Sequence, residues 1–158
     1  MKRRNFLGTL AGLFAARHAI AASPAAAGGV QKLELSEAEW KKRLTPEQFA
    51  VLRHEATERA GSSPLDHEKR KGTFVCAGCE LALFDSSTKF DSGTGWPSFF
   101  TYIQGHLDTK TDFKLIVPRT EYHCARCGGH QGHVFDDGPP PTGKRYCNNG
   151  VALRFVPA

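Results

Sequence analysis

The segment Gly72-Thr73-Phe74-Val75-Cys76-Ala77-Gly78-Cys79 joins a short run of strand-forming residues to a Cys-x-x-Cys pair, and it decides the fold. A second pair, Cys124-Ala125-Arg126-Cys127, follows after 44 intervening residues. Two such pairs supply four thiolates, the ligand set of a tetrahedral structural zinc site. Glycines beside the pairs (Gly78, Gly128 and Gly129) permit the tight backbone turn that such a site needs. The sequence therefore predicts one zinc ion that ties together two parts of a larger sheet domain.

Around these pairs the chain is built from short apolar or alternating segments, which are separated by clusters of glycine, proline, aspartate and serine. This texture is typical of antiparallel β-sheets, so the predicted fold class is mainly β. Residues 136–143 contain three successive prolines, which cannot donate to a ladder, and they are predicted to form a loop leading into the last strand. The predicted strands are residues 72–76, 99–103, 113–118, 120–124 and 151–156.

Two short helices are predicted over about residues 36–60. Ser36 and Thr45 are each followed three residues later by Glu or Gln, the pattern of a capping box, and Pro46 fits the first turn of the second helix. Apolar residues at approximately helical spacing predict the buried face of this pair of helices. These residues are Trp40, Leu44, Phe49, Leu52 and Ala56.

The first 29 residues have the composition of an export signal. Lys2, Arg3 and Arg4 precede an apolar run from Phe6 to Ala16, and an alanine-rich stretch follows. That run is too short for a membrane span, which needs about 20 residues. The twin arginines resemble the motif of the twin-arginine export route, which carries folded proteins. The sequence predicts a signal peptide over 1–29, one domain over 30–158 and a periplasmic location.

Charge argues against a nucleic-acid partner once the signal is removed. Four of the 21 basic residues lie in the first 29 positions and none of the 16 acidic residues does, so 17 basic residues remain against 16 acidic ones, a net charge of +1. The basic surplus that nucleic-acid binding requires is missing. No later apolar run is long enough to cross a membrane, and no stable membrane association is expected.

Two disulfide bonds are the alternative for the four paired cysteines, because the predicted destination is oxidising. Export of an already folded protein favours zinc, since the metal would be loaded in the reducing cytoplasm. A thioredoxin-like role for either pair is less favoured, because neither pair lies between a strand and the start of a helix.

Cys147 is the fifth cysteine and has no partner in this pattern. It lies in the polar, glycine-rich stretch Gly143–Gly150, a poor setting for an inert buried thiol. Lys144 and Arg145 precede it, and their positive charge would favour the thiolate. A reactive nucleophile is therefore predicted, with a merely buried thiol as the alternative.

Six motifs, in matching order and spacing, resemble the methionine sulfoxide reductase B family, which is selective for the R epimer of the sulfoxide. That resemblance implies two antiparallel sheets packed face to face, short N-terminal helices, and a zinc site away from the active site. The motifs are Thr57-Glu58, residues 72–79, 89–99, 124–127 and 132–139, and Arg145-Tyr146-Cys147 with Asn149 and Phe155.

The resemblance also implies catalytic roles. Cys147 matches the cysteine whose thiolate attacks the sulfoxide sulfur and becomes a sulfenic acid. His133 matches the proton donor to the sulfoxide oxygen, with His130 beside it. Asn149 matches the asparagine that organises the water and histidine around that oxygen. Arg145, two residues before the nucleophile on a strand, projects on the same face and can stabilise the thiolate.

Substrate binding is implied for three further residues. Trp96 matches the aromatic residue that packs on the substrate methyl group, Phe135 completes the apolar wall, and Asp137 matches a supporting charged position. Thr94 occupies the position where many relatives carry a resolving cysteine. The resemblance therefore implies a one-cysteine enzyme that acts on oxidised protein or peptide as a monomer. An external thiol, either a thioredoxin-like protein or a small molecule, would recycle it.

Other readings of these residues stay open at this stage. A non-catalytic module could bind a methyl-bearing ligand in the same pocket, or a zinc-ribbon interaction protein could use Cys147 only for packing. His130 and His133 could also belong to a second metal site, although no third ligand cluster accompanies them.

Overall fold

The computed structural model describes residues 29–113 and 117–158. Nearly all of the predicted signal peptide, residues 1–28, lies outside this part of the chain. Within the described ranges, the protein has a helical N-terminal portion and two antiparallel sheets. No helix among these residues has the length and apolarity that crossing a membrane requires.

The two predicted helices are present, with bounds α1 Glu37–Arg43 and α2 Pro46–His54. Both begin at capping boxes, formed by Ser36 with Glu39 and by Thr45 with Gln48. The second helix ends earlier than predicted because Glu55 takes a left-handed conformation with φ of 55°. Four of the five residues of the predicted apolar face are buried, and Ala56 is half-buried.

In the described residues nine strands follow the helices, with three short 3₁₀ helices among them at Pro64–His67, Ser86–Thr88 and Gly150–Ala152. The strands are β1 Gly72–Cys76, β2 Ala82–Asp85, β3 Lys89–Phe90, β4 Ser98–Phe99, β5 Leu107–Asp112, β6 Arg119–Cys124, β7 His130–Phe135, β8 Arg145–Asn148 and β9 Leu153–Pro157. One sheet has the order β2-β1-β9, and the other has the order β3-β4-β8-β7-β6-β5.

Aromatic side chains from the two sheets form the core between them. The ring of Phe84 on β2 stacks on Phe99 of β4, with centroids 4.1 Å apart, and Phe74 on β1 meets Phe99 edge-on at 4.9 Å. Tyr122 on β6 contacts Phe84 from the other side. All four rings are fully buried. These contacts confirm the predicted face-to-face packing of two antiparallel sheets.

The apolar pattern located some strands and missed others. Strands at 72–76 and 120–124 are confirmed, and the predicted 151–156 strand begins at Leu153 because a 3₁₀ turn precedes it. The predicted strand at 99–103 is wrong beyond Phe99. At 113–118, of which residues 114–116 lie outside the described part, Phe113, Val117 and Pro118 are not in a strand.

Five strands were missed, because each is short or lacks an alternating apolar pattern: β2, β3, β5, β7 and β8. β5 is buried only at its two ends, and β7 begins with the buried polar residues His130 and Gln131. β2 and β8 are only four residues long. The 136–143 loop is confirmed, but it leads into β8 and not into the last strand.

Candidate active site and four-cysteine cluster

The four paired cysteines meet in one buried cluster. Their Sγ atoms all lie within 4.8 Å of one another, with Cys76 and Cys127 3.7 Å apart and Cys79 and Cys124 3.4 Å apart. Sulfurs around a tetrahedral zinc, with Zn–S bonds of about 2.3 Å, are about 3.8 Å apart, whereas a disulfide is about 2.05 Å long. The spacing therefore fits a four-coordinate metal site, and no disulfide links these cysteines.

Each sheet contributes one pair to this cluster. The first pair begins at Cys76, the last residue of β1, and the second begins at Cys124, the last residue of β6. Gln131 on β7 donates a hydrogen bond from Nε2 to Cys76 Sγ at 3.4 Å. A metal held here would connect the two sheets, and this outer hydrogen bond would help to orient one of its ligands.

Both pairs use the same backbone turn. The carbonyl of the first cysteine accepts a hydrogen bond from the N–H four residues later, which belongs to Glu80 in one pair and Gly128 in the other. These two residues have φ of 62° and 66°. The predicted role of Gly78 in the first turn is therefore wrong, because Glu80 takes the left-handed conformation there.

Cys147 lies on β8 between two partner strands. It is opposite Ser98 of β4 on one side and opposite His133 of β7 on the other. Cys147 and His133 both line a cavity of about 140 Å³. The full lining is Thr57, Trp96, Arg119, Gly132, His133, Phe135, Cys147, Asn148 and Asn149.

Burial raises the pKa of the Cys147 thiol, and the positive charge of Arg145 opposes this effect. Hydrogen bonding by the side chains of Thr94 and Arg145 also lowers the pKa. Lys144 was expected to assist, but its Nζ instead pairs with the exposed carboxylate of Asp136. Arg145 is therefore the cation that stabilises the thiolate form.

Arg145 is held by two neighbours. Its Nε and Nη2 donate to the two carboxylate oxygens of Asp137 at 2.8 and 2.9 Å, and its guanidinium lies 4.3 Å from the ring centroid of Phe135. A bidentate pair of this kind fixes the direction of the guanidinium plane. Asp137 and Phe135 thus position the cation that acts on Cys147.

The two histidines occupy different environments. His133 lines the cavity, and its Nε2 lies 2.7 Å from Oδ2 of Asp112. His130 is buried outside the cavity lining, where its Nδ1 lies 2.8 Å from Oε1 of Glu121. Burial lowers the pKa of His130, and Glu121 opposes that shift. The rings of the two histidines meet edge to face with centroids 5.6 Å apart, and His130 is not among the residues that line the cavity with Cys147.

Asn149 has both ends of its side-chain amide engaged by backbone groups. Its Oδ1 accepts from the N–H of Glu58 at 3.0 Å, and its Nδ2 donates to the carbonyl of Gln131 at 3.0 Å. The neighbouring Asn148 is fully buried and accepts a hydrogen bond from the hydroxyl of Tyr122. These contacts fix the turn that follows the nucleophile.

Glu58 connects several parts of the site. Its carboxylate accepts hydrogen bonds from the N–H groups of Gly150 at 2.6 Å and Val151 at 2.8 Å, and its carbonyl accepts from Nε1 of Trp96 at 3.3 Å. Burial raises the pKa of this carboxyl, and the two backbone donors oppose the shift. One residue therefore holds the tryptophan at the cavity and the backbone after Asn149.

Five of the eight predicted catalytic and substrate residues share the cavity: Trp96, His133, Phe135, Cys147 and Asn149. The other three are outside its lining: His130 meets the ring of His133, and Arg145, held by Asp137, lowers the pKa of the Cys147 thiol. Sequence reasoning missed Thr57, Asp112 and Arg119 as members of the site. Thr57 lies in a quoted motif. Asp112 ends β5, a strand that was not predicted, and Arg119 lies one residue before the predicted strand at 120–124.

Fold and site together define a small two-sheet domain that carries a lone cysteine in a histidine-containing pocket. A family profile described as the SelR domain matches residues 44–157, which is most of the chain. The chain belongs to the methionine sulfoxide reductase B family.

Relatives from distant organisms are similar over most of the described domain. A peptide methionine sulfoxide reductase MsrB from Methanosarcina barkeri is 55% identical over 124 residues, 78% of this chain and 87% of that protein. An MsrB from Bradyrhizobium diazoefficiens is 52% identical over 127 residues, 80% of this chain and 91% of that protein. The chloroplastic peptide methionine sulfoxide reductase B1 of Arabidopsis thaliana is 56% identical over 122 residues, which span 77% of this chain and 60% of that longer protein.

Replacing Glu58 by Gln should destabilise the protein by about 1–3 kcal/mol. The glutamine amide has one oxygen in place of two, so its N–H₂ group would face one of the two backbone N–H groups that donate to the Glu58 carboxylate, and that N–H would lose its acceptor. Chemical denaturation would measure the free energy of unfolding. Glu34→Gln is the matched control, since Glu34 is exposed, and it should change stability by no more than about 0.5 kcal/mol. Equal stability of Glu58→Gln and Glu34→Gln would contradict the role given to Glu58.

Proposed function

We propose that this protein reduces methionine R-sulfoxide in oxidised proteins or peptides to methionine, with Cys147 as the nucleophile. The main support for this proposal is that Cys147 and His133 lie opposite each other and line the same cavity. Trp96 and Phe135 border that cavity. The names of the relatives in this family, peptide methionine sulfoxide reductases, support the same reaction.

In the first step, the Cys147 thiolate attacks the sulfur of the sulfoxide. The oxygen is transferred from the substrate sulfur to the cysteine sulfur: the substrate S–O bond and the transient bond between the two sulfurs break, a sulfenic acid forms on Cys147, and the thioether of methionine leaves. The sulfoxide sulfur is thereby reduced by two electrons and the cysteine sulfur is oxidised by two. His133 supplies the proton that the oxygen needs as the S–O bond breaks, and Arg145 favours the thiolate before the attack.

The cavity has the chemistry that a methyl sulfoxide group requires. Trp96 and Phe135 offer aromatic surfaces for the methyl group, which is recognised by shape and dispersion. His133 stands where the oxygen can be protonated. Because a rigid wall on one side and a proton donor on the other distinguish the two faces of the sulfur, the site is expected to select one epimer.

The sulfenic acid is then reduced by an external thiol. An incoming thiol displaces hydroxide, which leaves as water, and forms a mixed disulfide with Cys147; a second thiol releases the free cysteine. Thr94 stands near Cys147 where a resolving cysteine would be needed, and the other four cysteines belong to the buried cluster. This arrangement supports a one-cysteine cycle. We expect the protein to act as a monomer, with a thioredoxin-like protein or a small thiol as the reductant.

Purified protein should consume the R epimer of a blocked methionine sulfoxide with dithiothreitol as reductant and leave the S epimer. Cys147→Ser should lose at least about 10³-fold in rate, since the nucleophile is gone. Chromatography of the two epimers would measure this. Turnover that survives in Cys147→Ser, or equal turnover of both epimers, would contradict the assignment, and binding without turnover would favour a methyl-binding module.

We also propose that the four-cysteine cluster holds a structural Zn²⁺ ion. All four donors are thiolates at tetrahedral spacing, and none of them lines the cavity that contains Cys147, so the metal would serve the fold. Cys124→Ser should reduce bound zinc from about one ion per chain and lower the thermal midpoint, because metal binding and folding are coupled. Cys147→Ser should retain the metal. Full zinc content in Cys124→Ser would contradict this site.

Export through the twin-arginine route to the periplasm is proposed from Arg3, Arg4 and the apolar run that follows. The full chain should appear in the periplasmic fraction in a shortened form, and Arg3→Lys together with Arg4→Lys should retain it in the cytoplasm at full length. Fractionation followed by mass spectrometry measures both outcomes. Full-length unaltered protein in the cytoplasm of wild-type cells would contradict export.

A further inference from the structure

The proton donor His133 is held by a buried ion pair that the reaction scheme above does not include. Oδ2 of Asp112 lies 2.7 Å from Nε2 of His133 and 2.7 Å from Nη2 of Arg119. Asp112 is the last residue of β5 and Arg119 is the first of β6, and they face each other across the final pair of that ladder. The strand pairing therefore fixes the carboxylate beside the histidine.

Burial of the Asp112 carboxylate beside His133 has an electrostatic cost. The Asp112 side chain is only 4% exposed, and that of His133 is 14% exposed. An ionised carboxylate at such a depth requires compensation by a cation or by several hydrogen bonds. Arg119, whose guanidinium is always charged, provides that compensation. The carboxylate is therefore ionised and can only accept hydrogen bonds, so Nε2 of His133 carries the hydrogen between them.

We propose that Asp112, held by Arg119, is a positioning residue that sets the tautomer of His133 during methionine sulfoxide reduction. With Nε2–H committed to Asp112, Nδ1 is the ring nitrogen that exchanges a proton with the substrate oxygen. This inference rests on the proposed function, since it assigns a supporting residue to that reaction.

Several other titratable or charged groups face His133 and belong in the same account. Glu121 is its register partner on β6, His130 lies 5.6 Å away by ring centroid on β7, and Cys147 is opposite on β8. Glu121 is already paired with His130 and Lys110. Asp112 is therefore the carboxylate whose hydrogen bond acts directly on His133.

The test compares Asp112→Asn with Asp108→Asn in the zinc-loaded protein. Asp108 lies on the same strand, is exposed, and pairs with Lys32, so it controls for the loss of one carboxylate on β5. Asp112→Asn should lower kcat at least about tenfold, with a smaller change in KM, because a proton-transfer contribution is lost. Asp108→Asn should keep the wild-type kcat and KM.

A double-variant cycle separates positioning from general destabilisation. In a His133→Asn background, Asp112→Asn should cause little further loss of kcat, because Asp112 acts through His133. Additive losses of kcat in the double variant would overturn the proposal. Failure of the wild-type protein to reduce either epimer would instead contradict the proposed function itself.

A measurement on the unaltered protein keeps the proposal testable if Asp112→Asn does not fold. Nitrogen-15 NMR of the imidazoles, with His133→Asn used only to assign the signal, reports which ring nitrogen carries the hydrogen when the ring is neutral. Hydrogen on Nε2 is the expected result. Hydrogen on Nδ1 would overturn the assignment.

Discussion

The backbone pairing of β7 with β8 is the constraint on which the site depends. It places Cys147 opposite His133, and a one-residue slip would turn one of these side chains to the other face of the sheet. Gly132 allows the pairing, because a Cβ at this position would lie 1.9 Å from the carbonyl oxygen of Cys147. The pairing of the two strands thus brings the nucleophile and the proton donor together. The surrounding residues affect the charge state of the thiol and the orientation of the side chains.

Other side chains hold this pair and its neighbours in place. Asp137 and Phe135 hold Arg145, which counters the effect of burial on the thiol, and Glu58 fixes both Trp96 and the turn after Asn149. The four-cysteine cluster lies at the ends of β1 and β6 and contributes no residue to the cavity. Because it lies at the junction of the two sheets, its role is expected to be structural. Cys147 is the one cysteine outside the cluster.

Sequence patterns predicted the parts of this architecture that depend on local chemistry. Capping boxes at Ser36 and Thr45 located both helices, paired cysteines located the cluster, and the unpaired Cys147 located the cavity. Sequence patterns failed where contacts between residues far apart in the sequence determine the structure. Asp112 ends an edge strand whose side chains are mostly exposed, so no apolar periodicity marked that strand or showed that this carboxylate reaches His133. Glu80 takes the left-handed conformation that sequence reasoning gave to a glycine, and its N–H donates to the carbonyl of Cys76.

The central claim is that Cys147 accepts the oxygen of the sulfoxide, and a single-turnover measurement tests it most directly. Reductant-free protein would be mixed with an excess of the R epimer, methionine would be quantified, and each cysteine would be examined by peptide mass spectrometry after trapping sulfenic acid with a dione. The account predicts about one methionine per protein and one trapped sulfenic acid, located on Cys147. Methionine formed with Cys147 still a free thiol, or oxidation confined to the four clustered cysteines, would contradict it.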